Sequence, residues 1–290
     1  MLGHTLFRYL SEDSSLEVYT TVRSAKELSS WLPTNRMKKV RQDVDIHHAD
    51  SLVKVFAEVK PDLVVNCIGI IKQIPEAQDP LAAIDANALL PHRIALLSDA
   101  VGARMIHVST DCVFNGKEGG YREGDFSNAT DLYGRTKLLG EVVYPHCVTL
   151  RTSIIGHELK GNYGLVEWFL RQRENVQGYR KVIYSGLPTV ELARIIRDYV
   201  IPNPEMTGLY HVSSNPITKY ELLKLINVQY GKKMEIEPED SIRLDRSLDS
   251  SLFRSLTGYY PPTWTEMVRG MYHDYLKGPY QISKRFSQGG

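Results

Sequence analysis

Short apolar runs of strand-forming residues, separated by longer segments of helical period, constrain this chain more than any other feature. Leu16 to Arg23, Val40 to Ile46, Asp62 to Cys67, Arg104 to Ser109 and Cys147 to Thr152 read as strands. Helices are expected between them: Asp50 caps one that runs to Val59, Pro80 opens one that leads to Val101, and Asn128 or Thr130 precedes one that carries Tyr133. Such alternation buries its strands when the sheet is parallel and helices cover both faces. Leu63-Val64-Val65 is apolar without alternation, as a strand covered on both sides should be. The expected fold is therefore α/β with a doubly wound parallel sheet.

After Thr152 the rhythm loosens. Helical patterns at Leu165 to Arg173, Val190 to Val200, Tyr220 to Val228 and Trp264 to Tyr275 are separated by connections such as Pro202-Asn203-Pro204 and Tyr260-Pro261-Pro262. We expect residues 1–152 to form the main domain and residues 153–278 a smaller α+β lobe over the site, with some segments returning to the main domain. Residues 279–290 read as a tail. At the other end, Met1 to Phe7 reads as the start of a helix with Gly3 near its N-terminus. A doubly wound sheet wants a central strand before that helix, so the chain reads as truncated or as starting late.

A chain of 290 residues with 42% hydrophobic content can bury a sizeable core. Its net charge of +1 gives no reason to expect nucleic acid or an anionic membrane as partner. Apolar stretches fall short of the roughly 18 residues that span a bilayer, and Arg8, Glu12 and Asp13 interrupt the place of a signal peptide, so a cytoplasmic location is expected. Cys67, Cys112 and Cys147 lack Cys-x-x-Cys spacing and read as buried free thiols, Cys112 being the one close to Thr110. His47-His48 has no partners at metal-ligand spacing, and no metal site is expected.

The chemistry concentrates at the end of the fourth predicted strand. Thr110 and Asp111 sit at its carboxyl end, where ligands bind in open α/β sheets. Tyr133 opens the next helix and Lys137 follows one turn later. An ammonium there can stabilise a phenolate and so acidify the tyrosine, and a threonine hydroxyl can hold a carbonyl in line with it. The same spacing at Tyr220/Lys224 reads as a helix-surface pair and at Tyr280/Lys284 as part of the loose tail, because no strand precedes either.

These motifs, taken in order, resemble the extended short-chain dehydrogenase/reductase superfamily and, within it, the dTDP-4-dehydrorhamnose reductase family of sugar-nucleotide reductases. The resemblance runs through His107 to Gly116 (HVSTDCVFNG), Tyr121-Arg122-Glu123, Tyr133-Gly134-Arg135-Thr136-Lys137 with Gly140-Glu141, and Leu150 to Ser153 (LRTS). It continues through Gly186 to Thr189 (GLPT), Gly208 to Ser213 (GLYHVS) and Trp264. It implies a Rossmann-like fold whose first half binds a dinucleotide, NADPH or NADH, and reduction of a 4-keto nucleoside-diphosphate sugar, as in dTDP-rhamnose biosynthesis, for bacterial surface polysaccharide synthesis.

By that resemblance Tyr133 protonates the developing alkoxide, Lys137 binds the nicotinamide ribose and lowers the tyrosine pKa, and Thr110 holds the keto oxygen. Asp45 and Ile46 would meet the adenine, Cys67-Ile68-Gly69 would line the dinucleotide, and Val108 would touch the ribose by its backbone. Asn87 would order water behind Lys137, or else lie on the helix surface. Asp111 and Ile154 would face the sugar. Gly3 would be the last glycine of the Gly-x-x-Gly-x-x-Gly turn, its first strand and first two glycines lying upstream of Met1; a plain helix-start glycine reads as well. Arg23 stands where an NAD-selective site places an acid, which favours NADPH, and reads equally as a solvated loop arginine.

The chain departs from the family at Ile154, where rhamnose-forming enzymes carry tryptophan, and at Asn128-Ala129-Thr130-Asp131, where a proline-containing lead is usual. Two other functions remain open. An epimerase or dehydratase would use the same groups with bound NAD, although dehydratases place an acid where Cys112 follows Asp111. A non-catalytic regulator is the other, since a relative serves as a regulatory subunit of methionine adenosyltransferase. A homodimer is compatible with the family.

Overall fold

The computed structural model describes residues 1–24, 28 and 31–280. Its first half runs α1 (Leu2–Leu10), β1 (Thr20–Thr21), α2 (Thr34–Met37), β2 (Val40–Arg41), α3 (Ala49–Val59), β3 (Leu63–Asn66) and α4 (Pro80–Ala83). A π-helical stretch, Ile84–Leu89, leads into α5 (Leu90–Ala100), followed by β4 (Arg104–Thr110), α6 (Leu132–Leu139) and β5 (Cys147–Thr152). The second half continues with β6 (Ile154–Ile155), α7 (Leu165–Arg171), β7 (Val176–Tyr179), β8 (Val182–Tyr184), β9 (Leu187–Pro188) and α8 (Thr189–Ile195). After it come β10 (Gly208–His211), β11 (Ile217–Thr218), α9 (Lys219–Gln229), β12 (Ile236–Glu239), β13 (Leu244–Asp245), α10 (Ser251–Thr257) and α11 (Trp264–Lys277).

Four strands form the main sheet in the order β10-β5-β4-β3, all parallel. Successive side chains of a strand point to opposite faces, so β4 and β5 feed two cores. On one face Ile106, Val148 and Leu150 pack against Leu2, Leu6 and Leu10 of α1 and Leu192 and Ile195 of α8. On the other, Met105 and Cys147 pack against Leu52 and Phe56 of α3 and Leu90 and Ile94 of α5. Ile106 and Leu150 are fully excluded from solvent, each contributing about 1.5–3 kcal/mol of burial before chain entropy. The doubly wound sheet expected from the alternation is present.

The first two strands are shorter than the sequence suggests. β1 and β2 pair in parallel as a separate two-stranded sheet. Asp43 adopts φ of +60°, a left-handed conformation that a strand cannot continue through, so the second strand stops at Arg41. Helix starts differ in detail as well. His48 occupies the cap position of α3, with Asp50 inside the first turn. Asp131 caps α6, its carboxylate accepting from the Gly134 amide at 2.9 Å, whereas Asn128 accepts from the Asn115 amide.

In the second half, α9 and α11 each open with a capping box, Thr218/Glu221 and Thr263/Glu266. Lys224 lies over the Tyr220 ring at 5.3 Å, the helix-surface pair expected there. Tyr280 is a correction: it is buried at 5% exposure and stacks on Tyr275 with ring centroids 6.1 Å apart. An aromatic wall of His157, Tyr275 and Tyr280 beside α1 holds it, and that wall cannot be read from a loose, polar sequence ending. Lys284 lies outside the described residues.

Candidate active site

Two connections at the carboxyl end of β4 set the site. Thr110 closes the strand and caps a single 3-10 turn, Asp111–Val113: its hydroxyl accepts from the Cys112 amide at 3.1 Å and meets the Asp111 carboxylate at 3.2 Å. The chain then returns in α6. A methyl group at Gly134 would collide with the Cys112 carbonyl and stand 2.6 Å from Ala129, so the glycine next to Tyr133 is what lets the helix press onto the strand end. This contact brings the tyrosine hydroxyl beside that of Thr110.

Lys137, one turn along α6, is buried at 6% exposure and donates to the Val108 carbonyl at 2.9 Å. Burial pulls its pKa down to about 8, opposed by the charges of Glu141 and Cys67. Tyr133 departs from the expected acidification. Burial pushes its phenol above the ordinary value, Cys112 and Asp111 push the same way, and the hydrogen bond with Thr110 opposes them. The reason is geometric: the ammonium is directed at the Val108 backbone rather than the phenol. Tyr133 is therefore firmly protonated at neutral pH.

Asn87 is not a helix-surface residue. It is 1% exposed and clamps the peptide groups of Ile70, accepting from its amide at 2.8 Å and donating to its carbonyl at 3.0 Å. It sits in the π-helical stretch Ile84–Leu89, and an extra residue per turn re-aims a side chain in that way. Gly140, at the end of α6, lies so close that an added methyl would collide with the Asn87 carbonyl. Gly140→Ala is expected to destabilise the fold by about 1–3 kcal/mol through overpacking. Denaturant unfolding checks this, and an unchanged midpoint would contradict it.

The remaining sequence candidates fall into three places. Gly69 stands beside the Lys137–Asn87 pair, an added Cβ falling 4.0 Å from the ammonium and 3.1 Å from the amide oxygen. Ile68 is held through its amide by Asn66 at 3.0 Å, and Gly3 of α1 faces Cys67. At the separate β1–β2 sheet, Arg23 is exposed beyond β1, while Asp45 and Ile46 follow β2. Asp45 is held below the usual carboxylate range first by the His47 amide, with His47, His48 and Arg23 adding to it. Ile154 pairs with Leu187, half-buried. Burial pushes the thiols of Cys67 and Cys112 up to about 12, which removes both as nucleophiles near neutrality.

Two clusters went unnoticed in the sequence. Arg151 makes a two-point pair with Glu141, both contacts at 2.7 Å, and Glu141 also accepts from Ser109 at 2.7 Å. His211 and Ser127 complete the surroundings of the guanidinium, each at 3.3 Å. Past the strand end, Lys219, Arg246 and Tyr184 from the second half gather at Asp111 and Cys112. Among the described residues no group of His, Cys, Asp and Glu could hold a metal ion, and no helix is long and apolar enough to cross a membrane.

Known proteins are similar to this chain in sequence and in fold. The family model described as the RmlD substrate binding domain matches residues 1–276. The Bacillus subtilis (strain 168) spore coat polysaccharide biosynthesis protein SpsK is 29% identical over 262 residues, covering 81% of this chain and 85% of that protein. Methionine adenosyltransferase 2 subunit beta of Xenopus tropicalis is 27% identical over 246 residues, covering 77% of this chain and 67% of that one. The crystal structure of dTDP-4-dehydrorhamnose reductase from Bacillus anthracis in complex with NADP superposes with a TM-score of 0.73 at 22% identity. That likeness covers 89% of this chain and 100% of the other, and it establishes the shared fold.

Proposed function

Because the chain belongs to the family described by the RmlD substrate binding domain model, we propose that it reduces a 4-keto nucleoside-diphosphate sugar with NADPH or NADH, in the service of surface polysaccharide synthesis. The observation that carries this reading is the convergence of Thr110, Tyr133 and Lys137 at the carboxyl end of β4. The similarity to SpsK and to a reductase crystallised with NADP supports it.

The residues present fit a dinucleotide. Lys137 is a buried ammonium with three donors, and its hydrogen bond to Val108 leaves donors for ribose hydroxyls. The absent side chain of Gly69 keeps backbone accessible beside it. Gly3, Cys67, Ile68, Asp45, Ile46 and Arg23 would hold the rest, from the sheet edge outward. A reduced nicotinamide, when bound, supplies hydride to the carbonyl carbon. Thr110 holds the carbonyl oxygen, and Tyr133 donates its proton to that oxygen as negative charge develops. A phenol held above its ordinary pKa enters the reaction with its proton in place.

The pH dependence follows from Lys137. Its ammonium is present below about pH 8 and lost above it, so kcat/KM should fall on the alkaline side with an apparent pKa near that value. A profile flat to roughly pH 10, the range of an unperturbed lysine, would contradict the assignment. The activity itself is tested by a panel of dTDP- and UDP-linked 4-keto sugars followed by NADPH absorbance.

A second reading has one observation behind it, the similarity to methionine adenosyltransferase 2 subunit beta. A regulator would bind a partner enzyme and dinucleotide without oxidising NADPH on any sugar of the panel. The intact Thr110–Tyr133–Lys137 set favours the reductase.

A further inference from the structure

We propose that His107, inside β4, is a positioning residue for the dinucleotide: through Asn66 it holds the Cys67-Ile68-Gly69 turn that would line the cofactor. The inference rests on the dinucleotide reading of this site. Asn66 ends β3 and stands beside His107 in the parallel ladder. Its carboxamide oxygen accepts from the Ile68 amide at 3.0 Å, and its carboxamide nitrogen lies 3.2 Å from His107 Nδ1. Asn87 grips the far end of the turn at Ile70, so Gly69 is held between two carboxamides and beside Lys137. Val108, the next residue of β4, receives the Lys137 ammonium on its carbonyl. One short piece of strand thus sets both the turn and the cation.

The hydrogen-bond pattern fixes the state of the imidazole. A backbone amide takes the Asn66 oxygen, so the group facing Nδ1 is the NH2, a donor, and Nδ1 must accept from it. The proton of the neutral ring then sits on Nε2. Burial, followed by the charges of Lys137 and His92, pushes the His107 pKa well below its ordinary value and keeps the ring neutral. Nε2 is enclosed and has no hydrogen-bond partner among the described residues. Thr149, its neighbour on β5, has its hydroxyl engaged by the amide and the carbonyl of Val142. A buried donor left unmade is a cost that a hydrocarbon of similar size avoids. What histidine offers here beyond leucine is therefore the acceptor at Nδ1. That acceptor fixes which way the Asn66 carboxamide faces, and with it the oxygen presented to Ile68.

The test separates what the histidine fills from what it accepts. His107→Leu fills the space and cannot accept, whereas His107→Asn can accept with an oxygen near the place of Nδ1 but leaves a void. NADPH affinity should fall about five- to tenfold in His107→Leu and stay within about threefold of wild type in His107→Asn. Urea midpoints should rank the two variants the other way, because the void costs stability. A merely structural histidine would move affinity and stability together. Amide hydrogen exchange at Ile68 should quicken in His107→Leu. Nitrogen NMR of the wild type should show His107 protonated on Nε2 alone at neutral pH, a readout that needs no variant to fold. The proposal is overturned if His107→Leu keeps its NADPH affinity, if affinity ranks with stability, or if the wild-type ring carries its proton on Nδ1. Faster Ile68 exchange in His107→Leu of a protein that binds neither NADPH nor NADH would uphold the hold on the turn and reject the dinucleotide reading. NADPH binding unaltered in His107→Leu, with Ile68 exchange unchanged, would do the reverse.

Discussion

Tyr133→Phe should lower kcat at least about a hundredfold, the size of one general-acid contribution, while dinucleotide affinity stays near that of the wild type. The substitution removes one hydroxyl and keeps the ring, so the contact of α6 with the strand end through Gly134 is preserved. What is lost is the proton donor beside Thr110. No other described group replaces it readily: burial holds the Cys112 thiol at about 12, and Asp111, raised by burial, is engaged by Thr110. Steady-state kinetics with the best sugar of the panel checks this. A variant within about tenfold of wild type would show that proton delivery does not depend on the phenol.

Arg151→Ala should destabilise the protein by about 3–5 kcal/mol, because it strands the Glu141 carboxylate inside the fold. The side chains of Arg151 and Glu141 are 5% and 8% exposed, so solvent cannot take over the broken pair. The loss spreads, since Glu141 also anchors Ser109 of β4, and the guanidinium stands over the Phe114 ring at 5.3 Å and beside His211 of β10. Glu141→Ala should cost a similar amount, whereas the double change to Arg151→Met with Glu141→Leu should recover much of it by removing both charges. Urea unfolding of the three proteins decides the matter. Single variants within about 1 kcal/mol of wild type would mean the pair behaves like an exposed one.

The part of the fold that was legible in the sequence is the part built from contiguous residues. Arg104 to Thr110 is one buried strand, its turn follows directly, and the helix with Tyr133 and Lys137 comes next, so a local pattern locates the centre of the site. The direction of a side chain is another matter. Spacing puts Lys137 one turn from Tyr133, but the depth of burial and the Val108 carbonyl decide where its ammonium goes. Asn87 escaped a helical-period reading because the period itself changes at Ile84–Leu89. The second strand reads as longer than it is because no composition rule announces the left-handed Asp43.

Contacts between distant segments were invisible for a simpler reason. Arg246 and Cys112 are 134 residues apart in the chain, and nothing in either neighbourhood names the other. Glu141 and Arg151 stand only ten residues apart, yet their pairing depends on how β5 lies beside β4. The sequence presents both residues within recurring motifs and leaves the ion pair unstated.

In the proposed reaction a protonated Tyr133 and a Thr110 hydroxyl complete the reduction of a sugar carbonyl. Its most direct measurement is isotopic: the protein is supplied with a nucleoside-diphosphate 4-keto sugar and NADPH deuterated at the transferable position, and the product is examined by mass and by NMR. The account predicts one deuterium at the former carbonyl carbon for each NADPH consumed, with the yield collapsing in Tyr133→Phe. Sugar that is epimerised or dehydrated without deuterium, or NADPH left unconsumed across the panel, would contradict it.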